Sequence, residues 1–414
     1  MRPFRFVHAA DLHIDSPFRG LMSLNPDVGE RLKEATHEAF HNLVRLCIEE
    51  RADFLVIAGD VFDGADRGVR AQLRFRDGLE ELASHGIPAF VAHGNHDPLD
   101  GWSSAITWPE GTHIFGRDPE SVIVRGRDGE PLAEAQGVSY PTREVHENLA
   151  LRFSPPSRAG LFSIGVLHCN VGGDSNHPNY APCSVQDLAD VGLDYWALGH
   201  IHARRTLRER SPMIVYPGNI QGRDPGEPGE RGCMVVDVSA DGVPHAAFRP
   251  LDVVRWESRE VSIEGLDGID ALYARMNDAV DSLREEAGGR DVVCRLTLTG
   301  RGPVHADLAR GSGLAELQEE LQERGLGPSP WVWVERLSDH TRPEMDLEAR
   351  ARQDDFLGAV LSRGAETTPE DVRPLLEEVF SGRRGRPEMP DDGQLREWIE
   401  EARWELAEVL EPEE

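Results

Sequence analysis

Short apolar runs alternate with amphipathic segments along the first 250 residues of the chain. Each run ends abruptly at Gly, Asp, Asn or His, as expected where a buried strand gives way to a loop. One amphipathic segment, 28–50, places Leu and Ala on a single helical face. This order predicts an α/β architecture that finishes with antiparallel strands, because no helix separates the later apolar runs. The predicted buried strands are FRFVHAA (4–10), FLVIAG (54–59), PAFVAHG (88–94), LFSIGVLH (161–168) and YWALGH (195–200).

The pattern changes near residue 253, and we predict three domains, the first of which is 1–252. Residues 253–340 follow as strand, helix, strand, helix and strand, which is enough for a small α/β domain. Residues 341–414 are predicted to be helices broken by stretches rich in Gly and Pro. The last helix, 393–411, has an apolar side that either closes a C-terminal core or stays exposed for a partner. Its large apolar residues are Leu395, Trp398, Ile399, Trp404, Leu406 and Leu410.

The composition is that of a globular protein, with 39% hydrophobic and 29% charged residues. No apolar run approaches the roughly 18 residues that a membrane span requires. The N-terminus has no separate apolar segment typical of a signal peptide, so we expect a cytoplasmic protein. The five cysteines are odd in number and never form a CxxC pair, which argues against a disulfide framework or a zinc knuckle.

The net charge of −30 disfavours nucleic acid as a partner over most of the surface. A polyanion could bind only where local positive charge or bound cations reverse the field. Any nucleic-acid substrate is therefore expected to meet cations at the site of chemistry.

Polar side chains cluster where the predicted strands end. The loops at the carboxyl ends of parallel strands converge on one crevice, so residues far apart in the chain can meet there. Two Asp, one Asn and four His are too many ligands for one ion, but they suit two ions that share one carboxylate, for which Asp60 is the natural bridge. The residues of this set are Asp11, His13, Asp60, Asn95, His168, His200 and His202.

The order of these motifs, DxH, GD, GNHD, H and GHxH, resembles that of the calcineurin-like metallophosphoesterases. Within that superfamily the chain is similar to the SbcD and YhaO type of DNA repair exonuclease. The resemblance implies two mixed β-sheets flanked by helices, with a small α/β capping domain and C-terminal helices. It covers nearly the whole chain and includes AADLHIDSPFRG (9–20), AHGNHDP (92–98), LDYWALGHIHAR (193–204), YPGNIQGRDPGEPGERG (216–232) and WVWVERLSDHTRPEMDL (331–347).

The resemblance also implies which residues bind each ion. At the matching positions the first ion takes Asp11, His13, Asp60 and His202, and the second takes Asp60, Asn95, His168 and His200. A donor set of carboxylate, amide oxygen and imidazole suits octahedral Mn²⁺ better than tetrahedral structural zinc.

His96 is expected to act as a general acid at the leaving oxygen, with Asp97 holding its other ring nitrogen. Two cations would activate water and offset the negative charge of the transition state. One position departs from several relatives, which carry a histidine three residues after the bridging aspartate. This chain has Asp63 there, so a role in placing the DNA backbone is not carried over to that position.

The first functional hypothesis is metal-dependent phosphodiester hydrolysis of DNA, with 253–340 as a cap that restricts which DNA ends reach the metals. A second hypothesis keeps the metals but assigns a small phosphoester or a cyclic nucleotide as the substrate. A third makes the chain chiefly a docking subunit whose last helix binds the coiled coil of an SMC-like ATPase of the SbcC or YhaN type. The resemblance implies that partner and allows a homodimer.

Overall fold

The computed structural model describes the chain from Met1 to Leu410 with short gaps. The residues outside the description are 17, 19–20, 22–24, 65–67, 102–105, 175–176, 311, 328, 381–388 and 411–414. The chain divides into two compact units. Unit 1 contains Met1–Glu257, Leu283–Cys294 and Gly327–Val332, and unit 2 contains Ser258–Ser282, Arg295–Leu326 and Trp333–Glu414.

The strands and helices are numbered here in chain order. The strands are β1 (Phe4–Ala9), β2 (Phe54–Ala58), β3 (Ala89–Ala92), β4 (Thr112–Ile114), β5 (Glu120–Arg125), β6 (Pro131–Gly137), β7 (Phe162–His168), β8 (Tyr195–Gly199), β9 (Arg205–Arg208), β10 (Met213–Tyr216), β11 (Gly232–Val238), β12 (Pro244–Pro250), β13 (Val254–Ser262), β14 (Asp291–Thr299) and β15 (Val332–Asp339). The α-helices are α1 (Pro26–Glu49), α2 (Val69–Ser84), α3 (Val185–Asp190), α4 (Ile269–Glu286), α5 (Val304–Leu308), α6 (Gly313–Gly325), α7 (Leu347–Ala351), α8 (Phe356–Glu366), α9 (Pro369–Phe380) and α10 (Asp392–Leu410).

Two mixed sheets form the framework of unit 1. In the first, the described strands follow the order β12-β11-β1-β2-β3-β4, with β1 to β4 parallel and β11 and β12 antiparallel. In the second, the order is β5-β6-β7-β8-β10-β9, with β6, β7, β8 and β10 parallel. This arrangement confirms the predicted α/β class with two mixed sheets and the antiparallel strands expected near its end.

Aromatic side chains fill the space where the two sheets pack face to face. Phe6 of β1 stacks on Phe54 of β2 with ring centroids 5.2 Å apart, and Tyr195 of β8 meets Phe6 edge-on at the same distance. These three side chains are fully buried. Because their strands come from both sheets, this packing brings the carboxyl ends of β1, β2 and β8 to the same region.

Helix α1 covers the outer face of the first sheet and begins two residues before the predicted segment 28–50. The Asn25 side chain accepts hydrogen bonds from the backbone N–H groups of Asp27 (3.1 Å) and Val28 (3.2 Å), and Pro26 occupies the first helical turn. Leu32, Leu43 and other residues of its apolar face are fully buried in the core beneath it.

Unit 2 has its own small core, formed by the C-terminal helices α7, α8 and α10. Leu357 and Leu361 of α8 pack with Trp404 of α10, and all three are buried. Leu395 of α10 is also fully buried. Over the described residues, β13, β14 and β15 form a three-stranded sheet in that order.

The apolar side predicted for the last helix is divided between buried and exposed residues. Leu395 and Trp404 are buried, whereas Trp398 and Leu406 are 45% and 42% exposed and Val409 is 79% exposed. Residues 398, 402, 406 and 409 recur at helical spacing and form an exposed stripe on α10 that continues from the buried Leu395. The helix therefore both closes a core and keeps an apolar stripe exposed in unit 2. Among the described residues, no helix is long and apolar enough to cross a membrane.

His8 on β1 has a structural role in the core between the sheets. The Tyr195 hydroxyl donates to His8 Nδ1 (3.0 Å), and His8 Nε2–H donates to the Leu198 carbonyl (3.2 Å). Burial lowers the pKa of His8 to about 3, although the bond to Leu198 opposes this shift.

We predict that His8 makes the fold sensitive to mild acid. The pKa of His8 in the unfolded chain is about 6.5, so as the pH falls the unfolded state binds a proton that the folded state does not. Between pH 7 and pH 5 this difference lowers the free energy of unfolding by about 2 kcal/mol. Urea denaturation of His8→Gln, compared with the wild type at both pH values, should show a smaller loss on acidification. An equal loss in the two proteins would exclude His8 as the source.

Candidate metal centre

The seven residues predicted to form a metal site meet in unit 1, at the carboxyl ends of parallel strands. Five strands of the two sheets end at the site: one carries a member at its last residue, and the loops after the other four carry the rest. The residues and their strands are Asp11 and His13 after β1, Asp60 after β2, Asn95 after β3, His168 at the end of β7, and His200 and His202 after β8.

The loops that carry these residues have an unusual backbone. The φ angles of Asp11 (52°), His13 (45°), Asp60 (51°) and His200 (99°) all lie in the left-handed region. The loops after β1 and β2 hold each other in place, since the Asp11 N–H donates to the Gly59 carbonyl (3.0 Å) and the His13 N–H to the Asp60 carbonyl (3.1 Å). Such conformations cost roughly 1–3 kcal/mol each and cluster at functional sites.

Four of the donors converge on one point. His13 Nε2 lies 3.2 Å from His202 Nε2 and 3.8 Å from Asp60 Oδ2, and His202 Nε2 lies 3.9 Å from Asp11 Oδ1. Two imidazole nitrogens that face each other need a positive charge between them, which a shared cation supplies.

The remaining donors, Asn95, His168 and His200, form a second group with Asp60. His168 Nε2 lies 3.4 Å from Asp60 Oδ2 and 3.1 Å from Asn95 Oδ1, which is also 3.1 Å from His200 Nδ1. The outer nitrogens of both rings donate to the protein, His168 Nδ1–H to the Ala58 carbonyl (3.0 Å) and His200 Nε2–H to the Pro178 carbonyl (2.7 Å). Their inner nitrogens point at Asn95, where they would bind a cation once they are free of protons. Asp60 Oδ2 is common to both groups of donors.

The electrostatics of these donors fit cations. Burial lowers the pKa of His13 and of His200 to about 3, so both rings are neutral and can act as ligands. Burial would raise the pKa of Asp60, but the charge and hydrogen bond of His168 lower it well below its usual range. Burial likewise would lower the pKa of His168, but Asp60 raises it to about 9. Asp60 therefore keeps the His168 ring protonated. A divalent cation that displaced this proton would replace its positive charge.

His96 lies at the rim of this buried set. Its backbone N–H donates to Asp60 Oδ1 (2.9 Å), and its ring Nδ1 lies 3.0 Å from Asp63 Oδ1. The side chain of His96 is 32% exposed, whereas those of Asp60 and His13 are nearly inaccessible. Burial lowers the pKa of His96, but its hydrogen bond to Asp63 and the charges of Asp60 and Asp63 raise it more. A raised pKa suits a proton donor.

The predicted contact between Asp97 and the His96 ring is wrong. The Asp97 carboxylate is fully buried; its Oδ2 accepts from His93 Nδ1–H (2.8 Å) and the Val61 N–H (3.0 Å), and its Oδ1 accepts from the Gly94 N–H (2.8 Å). Asp97 turns inward because it fastens the loop after β3 to the loop after β2. The contact with the His96 ring is made by Asp63 instead.

Sequence reasoning also missed two residues of the segment 216–232. Glu227 Oε1 accepts from His202 Nδ1–H (2.5 Å), and Arg223 Nη1 donates to Asp63 Oδ1 (2.9 Å). This segment contributed to the family resemblance, and Arg223 could have held a phosphate or been solvated, but no contact with His202 or Asp63 was expected from it. The available signal was a glutamate and an arginine placed among Gly and Pro in a loop that a family shares.

The comparisons with known proteins agree with this geometry. Residues 4–204 match the family model for calcineurin-like phosphoesterases, and residues 256–342 match that for the middle domain of metallophosphoesterase YhaO. The chain is 36% identical over 383 residues to the uncharacterized metallophosphoesterase YhaO of Bacillus subtilis, which covers 92% of this chain and 90% of that protein.

More distant relatives are nucleases or repair proteins by name. The DNA double-strand break repair protein Mre11 of Thermoplasma acidophilum is 26% identical over 309 residues, covering 71% of this chain and 76% of that protein. The SbcD component of the nuclease SbcCD of Bacillus subtilis is 24% identical over 251 residues, covering 52% of this chain and 61% of that protein.

Two mixed sheets with a buried cluster of carboxylates and imidazoles at their strand ends define a metal-dependent phosphoesterase. The chain belongs to the calcineurin-like metallophosphoesterases, and within them to the YhaO family, with SbcD and Mre11 proteins as relatives. The resemblance deduced from the sequence motifs is thus confirmed, and so is the assignment as a hydrolase.

We predict that Asp60→Ala loses both cations and all phosphoesterase activity, because it removes the carboxylate oxygen common to both donor groups. His200→Ala should lose chiefly the cation on the Asn95 side. Elemental analysis of manganese after dialysis measures both outcomes, with Asp128→Ala, an exposed carboxylate paired with Arg2, as the control. Two ions retained by Asp60→Ala would contradict the bridging position.

Proposed function

We propose that the protein hydrolyses phosphodiester bonds in DNA, as a repair exonuclease or endonuclease that uses two divalent cations, with Mn²⁺ preferred. The family supplies metal-dependent phosphoester hydrolysis. The observation that carries the proposal is the position of His96, a partly exposed imidazole of raised pKa at the edge of a buried donor set. That arrangement suits a substrate whose phosphate approaches from outside. The names of the SbcD and Mre11 relatives support DNA as that substrate.

The proposed ligand sets follow the two donor groups around Asp60. Asp11, His13, Asp60 and His202 would hold one cation, and Asp60, Asn95, His168 and His200 would hold the other. When bound, the two cations supply an acidified water and positive charge against the phosphate oxygens.

The chain itself supplies the proton for the leaving oxygen. Asp63 accepts from Nδ1–H of His96, which orients the ring and leaves Nε2–H free to donate. Burial of the remaining donors excludes water from the side of the site opposite His96.

A cavity next to His202 gives room for the rest of the substrate. The cavity measures about 520 Å³. Its lining includes His177 and Arg205 and the carboxylates of Asp224 and Glu227. Arg205 is 44% exposed, so its guanidinium is accessible to a phosphate although it also pairs with Asp174. With the cations, this basic edge offsets the charge of −30 where DNA would bind.

The same cavity favours the second candidate, a small phosphoester or a cyclic nucleotide. Its volume lies within the range of small-molecule pockets, about 300–1,000 Å³. The predicted domain boundaries at 252 and 340 belong to this proposal as well, with 253–340 as a cap that selects DNA ends. Cytoplasmic location and a homodimer stay predictions.

We predict cleavage of linear duplex DNA in Mn²⁺, with little hydrolysis of cyclic nucleotides. His96→Ala should bind both ions but lower DNA hydrolysis by about two to four orders of magnitude, the usual contribution of a general acid. A p-nitrophenyl phosphodiester, whose leaving group needs no proton, should recover part of that loss. His85→Ala, at an exposed histidine after α2, is the matched control. If DNA stays intact while the small esters are hydrolysed rapidly, the second candidate would replace DNA as the proposed substrate.

We also propose that the stripe at 398, 402, 406 and 409 on α10 binds the coiled coil of an SMC-like ATPase of the SbcC or YhaN type. The support is its exposure in unit 2 and the name of the SbcCD relative, which identifies that protein as one part of a larger nuclease. An apolar helical stripe is a common anchor for helix binding.

We predict that Trp398→Glu with Leu406→Glu abolishes co-purification with the organism's SMC-like ATPase and leaves the melting temperature and phosphodiester hydrolysis nearly unchanged. Leu395→Ala, at a fully buried position of the same helix, should instead lower stability by about 2–5 kcal/mol. Unchanged co-purification of the double variant would show that this stripe is not the docking surface.

A further inference from the structure

Both histidines of the first donor group are held from outside by carboxylates. His13 Nδ1–H donates to Asp63 Oδ1 (3.1 Å), and His202 Nδ1–H donates to Glu227 Oε1 (2.5 Å). Their Nε2 atoms face each other at 3.2 Å. The hydrogen bond at one ring nitrogen fixes the tautomer and the direction of the other nitrogen, so Asp63 and Glu227 set the geometry of two ligands of one cation.

Arg223 joins the two carboxylates. Its Nη1 donates to Asp63 Oδ1 (2.9 Å), and its backbone N–H donates to Glu227 Oε2 (2.7 Å). The side chains of Asp63, Arg223 and Glu227 are only 13%, 16% and 9% exposed. In such a poorly solvated place, removal of the guanidinium leaves the Asp63 charge without its cationic partner, and the carboxylate is then free to turn.

Asp63 connects this arrangement to the proposed acid. The oxygen that accepts from His13 and Arg223 also lies 3.0 Å from His96 Nδ1, while the other oxygen accepts from the Ser16 hydroxyl (2.8 Å). One carboxylate oxygen thus contacts a proposed metal ligand, the proposed proton donor and the arginine.

We infer that Asp63, Arg223 and Glu227 form a positioning network in which Arg223 couples cation binding at His13 and His202 to proton donation by His96. Arg223 is a positioning residue, because its guanidinium acts through Asp63 while its backbone N–H holds Glu227. The inference rests on metal-dependent phosphoester hydrolysis and on the proposed ligands, and it holds whether or not DNA is the substrate.

The members of the network contact different residues. Each variant should therefore have its own combination of effects on cation binding and on leaving-group dependence. Glu227 contacts His202, so Glu227→Gln should weaken the binding of one cation and leave the dependence of kcat on the leaving group unchanged. Asp63 contacts both His13 and His96, so Asp63→Asn should weaken the same cation and also increase that dependence. Arg223→Met should resemble Asp63→Asn, and Arg223→Lys should restore part of both effects.

The experiment measures Mn²⁺ binding by calorimetry and kcat on two phosphodiesters, one with a p-nitrophenolate and one with an alkoxide leaving group. In Arg223→Met, one of the two ions should bind about 10–100-fold more weakly, as is usual when a hydrogen-bond partner of a ligand is lost. The alkoxide ester should lose more rate than the p-nitrophenyl ester.

Arg255→Met is the matched control. Arg255 is a buried arginine of the same unit that pairs with Asp252 (3.0 Å) and Glu230 (3.5 Å), so its loss tests the general effect of removing a buried guanidinium. It should lower the melting temperature without changing Mn²⁺ affinity or the ratio of the two rates.

Wild-type affinity for both ions in Arg223→Met, or an equal loss of rate on both esters, would overturn the coupling. If Arg223→Met does not fold, Asp63→Asn and Glu227→Gln decide the matter, since identical behaviour of these two would also overturn it. Two ions retained by His13→Ala would overturn the ligand assignment on which the network depends. Failure to cleave DNA would instead reject the proposed substrate alone.

Discussion

The Asp60 carboxylate is the group on which the rest of the site depends. Its Oδ2 lies 3.4 Å from His168 Nε2 and 3.8 Å from His13 Nε2, and its Oδ1 accepts from the His96 backbone N–H. A buried carboxylate is stable only with positive charge close by. The face-to-face packing of the sheets and the left-handed turns at the strand ends hold the imidazoles against it. The fold therefore buries a negative charge that needs cations, at the place where the family's metal-dependent chemistry requires them.

Much of this could be predicted from the sequence. Buried strands show as apolar runs, and residues that follow parallel strands must meet at one edge, so the seven donors could be assembled without coordinates. The partner of His96 could not, because Asp63 and Asp97 are both close to it and the direction of a loop side chain depends on dihedral angles that no periodicity encodes. Nor could the contact of Arg223 with Asp63, 160 residues away. Which apolar residues of α10 are buried likewise depends on the helices that pack against it.

The acidic net charge and a phosphodiester substrate are compatible because different residues of the site serve cation binding and proton donation. Deeply buried carboxylate, amide and imidazole groups suit cations, whereas His96 at the rim reaches the solvent side. Around them, Asp63 and Glu227 accept hydrogen bonds from the outer nitrogens of His13 and His202, and Arg223 contacts both carboxylates. Cations bound there would concentrate positive charge at one small place on a protein of net charge −30.

Crystals grown with MnCl₂ and measured at the manganese absorption edge would show whether two cations share Asp60, because an anomalous difference map locates each ion without reference to activity. Two peaks are expected, one against His13 and His202 and the other against His168 and His200, with the Asp60 carboxylate in contact with both. A single peak, or two peaks of which Asp60 contacts only one, would exclude a shared Asp60.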